Sequence, residues 1–152
     1  MTWNNIRDAK EKGFHDNLYL ELDTYHNPKP GTESRLKQAI LQELSAANIF
    51  LVLKTGEIVT PSLKRGTILP GVTRDTVLAM ANEFKDELQP IMEQSIKEAG
   101  MGEMIEIIVS ERDVCVADLL NAAEVFVTGT AAEIVPVSSI GTSETPADEL
   151  DG

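Results

Sequence analysis

The sequence predicts an α+β domain, and three observations carry that expectation. Leu18, Leu20 and Leu22 alternate with Tyr19 and Glu21, the two-residue period of a half-buried strand. Residues 49–54 and 57–60 flank Thr55-Gly56, the spacing of a two-residue β-hairpin turn. Val77, Leu78, Ala81 and Phe84 recur at core-facing helical spacing within a pattern that runs over residues 73–88.

The remaining elements follow in order. Residues 2–12 read as the end of a helix: Ile6 and Ala9 are apolar, Arg7, Asp8, Lys10, Glu11 and Lys12 form a charged face, and Gly13 is the stop. Asn27-Pro28-Lys29-Pro30-Gly31 is a turn or loop. Residues 32–44 fit a helix by pattern, with Leu36, Ile40 and Leu44 on one face, and Ser45-Ala46-Ala47-Asn48 breaks it. Pro90 is expected to interrupt the 73–88 helix, with a second helix over residues 91–99 and a break at Gly100-Met101-Gly102. A strand over 105–109, a short helix over 116–123 capped at or near Asp113, and strands over 124–128 and 134–138 complete the domain. Residues 142–152 are small, acidic and broken by Pro146, which predicts a disordered tail after a folded unit of residues 1–141.

With 152 residues and 42% hydrophobic content, one domain with a real core is expected. Twenty-five acidic residues oppose thirteen basic ones for a net charge of −12, and the basic residues are scattered, which argues against nucleic acid as a partner. The apolar runs, such as residues 49–53, are far short of a membrane span, so no membrane partner is expected and the chain reads as soluble. Cys115 is the only cysteine, which excludes an intrachain disulfide and favours a reducing compartment, the cytoplasm or an organelle matrix. One Cys and two separated His offer no metal-ligand spacing.

Two stretches carry chemistry. In GTILPGVTRDT, residues 66–76, Pro70-Gly71 leads directly into the long helical pattern. Gly71 lets the backbone approach a ligand, while the first-turn N–H groups and the Thr73 hydroxyl converge on one point suited to a phosphate. The helix dipole favours an anion there, and Arg74 is a candidate to add its charge. Taken alone, an ordinary loop into a capped helix is the better reading. In EVFVTGTAAEIVPV, residues 124–137, a turn at Thr128-Gly129-Thr130-Ala131 joins two strands. Its small residues leave room for a ligand and offer two hydroxyls, although small residues at a turn more often serve the turn itself.

The ordered segments ELSAANIFLV, ILPGVTRDTVL, SERDV and EVFVTGTAAEIVPV resemble the C-terminal half of the class IV pyridoxal-phosphate-dependent aminotransferases, and most of all the branched-chain amino acid aminotransferases. The resemblance covers about residues 9–140 and implies a mixed, barrel-like sheet with helices outside, as in the larger domain of fold-type IV enzymes. It implies pyridoxal 5'-phosphate as cofactor. Glu43 would hold the protonated pyridine nitrogen that makes the ring an electron sink. The backbone N–H groups after Gly71, those of Val72 and Thr73, and the hydroxyls of Thr73 and Thr130 would hold the phosphate. The Thr130 and Ala131 amides would hold the substrate carboxylate. Leucine, isoleucine and valine are the implied amino donors and 2-oxoglutarate the acceptor, and the complete protein would be a homodimer. The wording GTAAE favours these enzymes over the D-amino acid aminotransferases and aminodeoxychorismate lyases of the same class. Without the resemblance, Glu43 reads as part of a solvated helix face.

The match also has gaps. The family's Schiff-base lysine would align before Met1, and the small N-terminal domain with its phosphate-binding Arg has no counterpart, so a partial chain is expected. The eight lysines, at positions 10, 12, 29, 37, 54, 64, 85 and 97, all read as surface, as do His15 and His26. Trp3 reads as a packing residue, and Cys115 as a small inert core residue. Residues 27–41 look like an insertion that could hold Glu43 away from the ring. A non-catalytic module binding pyridoxal phosphate or another phosphorylated ligand, and a subunit pairing with a longer relative, are the alternative readings.

Overall fold

Residues 48–53, Asn-Ile-Phe-Leu-Val-Leu, form a run that is apolar on both faces after its first position, and such a strand is stable only when both faces are covered. The computed structural model, which describes residues 9–21, 36–104, 106–131 and 133–141, places this run at the centre of the main sheet. Among the described residues the strands are β1 (Leu18–Glu21), β2 (Ile40–Leu44), β3 (Asn48–Leu53), β4 (Glu57–Pro61), β5 (Ile108–Arg112), β6 (Ala122–Gly129) and β7 (Glu133–Pro136). The helices are α1 (Val72–Glu83), α2 (Lys85–Glu98) and α3 (Val116–Leu120). The strand order is β5-β4-β3-β6-β7, with β4 and β5 parallel and the other pairs antiparallel, so the sheet is mixed and the domain α+β as expected. β1 and β2 form a separate antiparallel pair.

Each face of β3 builds its own core. Ile49, Leu51 and Leu53 pack with Leu41 of β2, Val59, Val114, Val116 and Val127. Phe50 on the opposite face joins Ile58, Ala81 of α1, Ile96 of α2, Met104 and Ile107. Its ring stacks on Phe126 with centroids 5.0 Å apart and planes within 4°. Burying each of these larger side chains contributes about 1.5–3 kcal/mol. The buried Thr60 hydroxyl donates to the Ile49 carbonyl at 2.6 Å, so this polar group costs the core little.

Several expectations change. The 32–44 helix is wrong over its described part: residues 36–37 are helical, but Ile40–Leu44 is strand β2. Spacings of four between Leu36, Ile40 and Leu44 suit a helix, yet pairing wins. Leu44, Leu41 and Ile40 lie opposite Leu18, Leu20 and Glu21, and the Leu41 N–H donates to the Val114 carbonyl at 2.7 Å. The β3–β4 hairpin is present, but its register puts Lys54, Thr55 and Gly56 in the turn, three residues instead of two. Gly56 supplies the left-handed residue at φ +95°, and a Cβ there would lie 2.6 Å from the Glu106 carbonyl oxygen. The helix break falls at Phe84, not Pro90. Phe84 closes α1 by donating to Met80 and accepts from Leu88, while Pro90 sits inside α2 at the loss of one backbone bond. Phe84 is consequently exposed, whereas Val77 and Leu78 pack on the core as expected.

The strand expected over 105–109 is shifted to Ile108–Arg112, because β4 pairs with that segment from Glu57↔Ile108 to Pro61↔Arg112. α3 ends at Leu120, since Ala122 already belongs to β6. Its cap is Cys115, close to Asp113 as expected: Asp118 accepts the Cys115 N–H at 2.9 Å, closing a capping box. Cys115 is therefore a half-buried cap whose thiol donates to Asp118 at 3.3 Å, and not a core residue. The helix stop at Gly13 holds, with φ +84° and its N–H on the Lys10 carbonyl. Expectations for Trp3, Ile6, Leu22, His26, Lys29, residues 32–35 and residues 142–152 lie outside the described residues.

One ion network joins three elements. Arg112 of β5 donates to both oxygens of Glu57 on β4, at 3.0 and 2.9 Å, and to both oxygens of Asp118 on α3, at 3.0 and 3.2 Å. The Arg112 hydrogen bonds hold the Glu57 carboxyl below its usual value against the opposing effect of burial, and Ser110 adds to the lowering. Burial pushes Asp118 up, but hydrogen bonds from Arg112 and Cys115 together outweigh it and leave its pKa lowered. Carboxyls depressed in the folded state contribute stability that is complete above their unfolded values, about 4, and is lost as pH falls through the folded values. Urea midpoints are therefore expected to be flat from neutral pH to about 5 and to fall below about 4, with a shallower acid decline in Arg112→Met than in the unsubstituted chain.

Candidate functional site

Glu43 is the fourth residue of β2, and pairing with β1 turns it inward so that it is only 9% exposed. It is not on a solvated helix face. Its Oε2 accepts the Leu69 N–H at 2.9 Å, which ties it to the loop that leads into α1. With Tyr19, Leu20, Glu21, Gln42 and Thr67 it lines an open cleft of about 220 Å³.

The same loop is held from the start of β3. Asn48 donates from Nδ2 to the Leu69 carbonyl at 3.0 Å, and its Oδ1 lies where a Cβ on Gly71 would be, 2.3 Å from that position. Gly71 is the N-cap of α1, with extended backbone and no side-chain cap bond. Val72 and Thr73 thus occupy the first two helical positions, where N–H groups have no partner within the helix. Asp75 donates its N–H to the Gly71 carbonyl at 3.1 Å and so starts the helical ladder. Leu69 and Val72 are 72% and 81% exposed, leaving two large apolar side chains on either side of Pro70-Gly71.

Arg74 does not join this cradle. It is 1% exposed, with its guanidinium donating to the Pro61 carbonyl at 3.0 Å, paired with Glu111, and 3.3 Å from Asp75. A buried guanidinium needs such partners, so its side chain turns toward the β4–β5 end and pins the first turn of α1 there.

The second stretch arrives at the same end of β3. Thr128 lies opposite Asn48, and a Cβ on Gly129 would sit 2.8 Å from the Ala46 carbonyl oxygen. Thr130 and Ala131 follow as exposed residues of the turn between β6 and β7. The β2–β3 turn and the start of β3 thus lie between the two small-residue stretches, with Asn48 of β3 against Gly71 and Ala46 and Ala47 of the turn against Gly129. Glu43, Gly71, Val72, Thr73, Thr130 and Ala131, up to 88 positions apart in the sequence, belong to three segments in contact.

The arrangement offers a buried carboxylate and an uncapped helix start, features that suit a ligand carrying a basic nitrogen and a phosphate. The Tyr19 hydroxyl, from a residue lining the cleft, and the Thr128 hydroxyl, from the residue opposite Asn48, are buried without a partner. No motif in the sequence marks Tyr19 or Asn48 for this site. The available signal for Asn48 was an Asn opening an otherwise apolar strand, where this residue type is disfavoured. Lys10, Lys12, Lys37, Lys54, Lys64 and Lys97 are exposed and Lys85 is half-buried, and His15 is exposed; none of them lines the cleft.

Comparison with known proteins agrees with the four ordered segments. The family model for amino-transferase class IV matches residues 7–140. The chain is 39% identical over 135 residues to mitochondrial branched-chain-amino-acid aminotransferase 1 of Arabidopsis thaliana, covering 89% of this chain and 26% of that protein. Among solved structures, the branched-chain amino acid aminotransferase from Escherichia coli superposes with a TM-score of 0.57 at 27% identity, over 89% of this chain and 33% of that one. The holo-form of the enzyme from Thermobaculum terrenum, solved with PLP, superposes with a TM-score of 0.56 at 26% identity, over 91% and 33%. The chain spans about a quarter of the length of the curated relatives it matches.

Gly129→Ala would press a Cβ against backbone that cannot rotate away. A loss of about 1–3 kcal/mol is expected from this overpacking, read as a lower urea midpoint.

Proposed function

Because this chain belongs to the class IV amino-transferase family, we propose that it forms the cofactor-binding part of a branched-chain amino acid aminotransferase, holding pyridoxal 5'-phosphate beside Glu43 and the start of α1. The observation that carries the reading is the hydrogen bond from Leu69 to Glu43, which ties a buried carboxylate to an uncapped helix start. The domain is taken to extend over residues 1–141.

Glu43 receives the protonated ring nitrogen, and the charge of a carboxylate keeps that proton in place near neutral pH. The Val72 and Thr73 amides, with the Thr73 and Thr130 hydroxyls, bind the phosphate, each bond to a charged oxygen contributing about 1.5–3 kcal/mol. The Thr130 and Ala131 amides orient the substrate carboxylate. Gly71 makes room for Asn48 and Gly129 for the Ala46 carbonyl, so the segments carrying these groups pack closely together. When bound, the cofactor supplies the electron sink for moving an amino group from leucine, isoleucine or valine to 2-oxoglutarate. The lysines described above take no part in this reading. The whole protein is taken to be a homodimer working on small amino and 2-oxo acids in the cytoplasm or in a mitochondrial or plastid matrix.

Among the described lysines six are exposed and Lys85 is half-buried, which favours a second reading, a module that binds the phosphorylated cofactor without catalysis. Titration with pyridoxal 5'-phosphate, followed by absorbance and calorimetry, tests both. Saturable binding of one cofactor per chain is expected, with Thr73→Val and Glu43→Ala each weakening it about tenfold. An effect of Thr73→Val without one of Glu43→Ala would select the binding module, and absence of saturable binding would refute both.

A further inference from the structure

The Leu69 peptide is gripped from both sides. Its N–H donates to Glu43 at 2.9 Å and its carbonyl accepts from Asn48 at 3.0 Å. Asn48 is 6% exposed and opens β3, which is fixed between β4 and β6. Its Oδ1 fills the space beside Gly71. One buried side chain therefore reaches both the residue bonded to Glu43 and the N-cap of α1.

We propose that Asn48 is a positioning residue that sets the distance between the Glu43 carboxylate and the amide donors at the start of α1. The inference rests on the reading in which those two groups hold the two ends of one pyridoxal phosphate. A cofactor with its ring nitrogen and phosphate at a nearly fixed separation binds at both ends only if both receptors keep that separation. A loop free to swing would have to be ordered at each binding event. Asn suits the task because its short amide donates to the Leu69 carbonyl while its Oδ1 packs beside Gly71; Asp could not donate to that carbonyl and would add a negative charge near the phosphate. The need for Gly at 71 follows from the same contact. Its φ of −72° is open to any residue, so the demand is for space beside Asn48, not for backbone freedom.

The test uses the full chain and Asn48→Ala, with amide hydrogen exchange by NMR and affinities for pyridoxal 5'-phosphate and unphosphorylated pyridoxal. Exchange of the Leu69 amide should speed up about tenfold while Val59 and Val127 keep their rates. Affinity for pyridoxal 5'-phosphate should fall about tenfold and that for pyridoxal stay within about twofold. Unchanged Leu69 exchange, or parallel loss of both affinities, would overturn the assignment, since a merely structural role weakens both ligands alike. If Asn48→Ala does not fold, the unsubstituted chain decides: its Asn48 side-chain amide protons should be protected and close to Gly71, and exchange at the solvent rate would overturn the proposal. An unsubstituted chain that binds neither compound refutes the cofactor reading, whereas an unresponsive Leu69 in a chain that does bind refutes the role of Asn48 alone.

Discussion

The burial of β3 on both faces is the constraint from which the rest of the structure follows. A strand with Ile49, Leu51 and Leu53 on one side and Phe50 on the other cannot sit at a surface, so one side is closed by Leu41, Val114 and Val116 and the other by α1 and α2. Both strand neighbours are then fixed by hydrogen bonding, and the turns at the Asn48 end of β3 are brought together.

That end of the sheet is where backbone, small residues and one carboxylate meet. The two small-residue stretches do not find each other by mutual attraction; each is placed by the strand or helix that leaves it. Gly71 lies against Asn48 at the start of β3 and Gly129 against Ala46 and Ala47 just before it, and in both places a methyl group would intrude. Polar groups here are paired locally, as with Leu69 between Glu43 and Asn48, and the small residues leave the helix start accessible.

Charge plays a different part away from this end. Arg112 cross-links β4, β5 and α3, and Arg74 pins α1 to the end of β4 and to Glu111. Both guanidiniums use several donors at once, which a lysine could not reproduce. In an acidic chain with a net charge of −12, basic groups spent on internal links are not available to a ligand, as the fate of Arg74 illustrates.

The sequence by itself determined the elements whose pattern and punctuation agree. These are the hairpin around Gly56, the α1 helix after Pro70-Gly71, the Gly100 to Gly102 break and the β6–β7 return, along with the four ordered segments that mark the family. Local period and turn chemistry report such features directly. Tertiary structure decided what depends on distant partners. Ile40–Leu44 is compatible with either period and became a strand because β1 and Val114 were there to pair with it. Arg74 was available to the ligand by sequence and was claimed by Glu111, 37 residues away. The burial of Glu43 and its bond to Leu69, 26 residues on, left no mark in the local pattern, because neither hydrophobic period nor turn composition encodes which loop a carboxylate will meet.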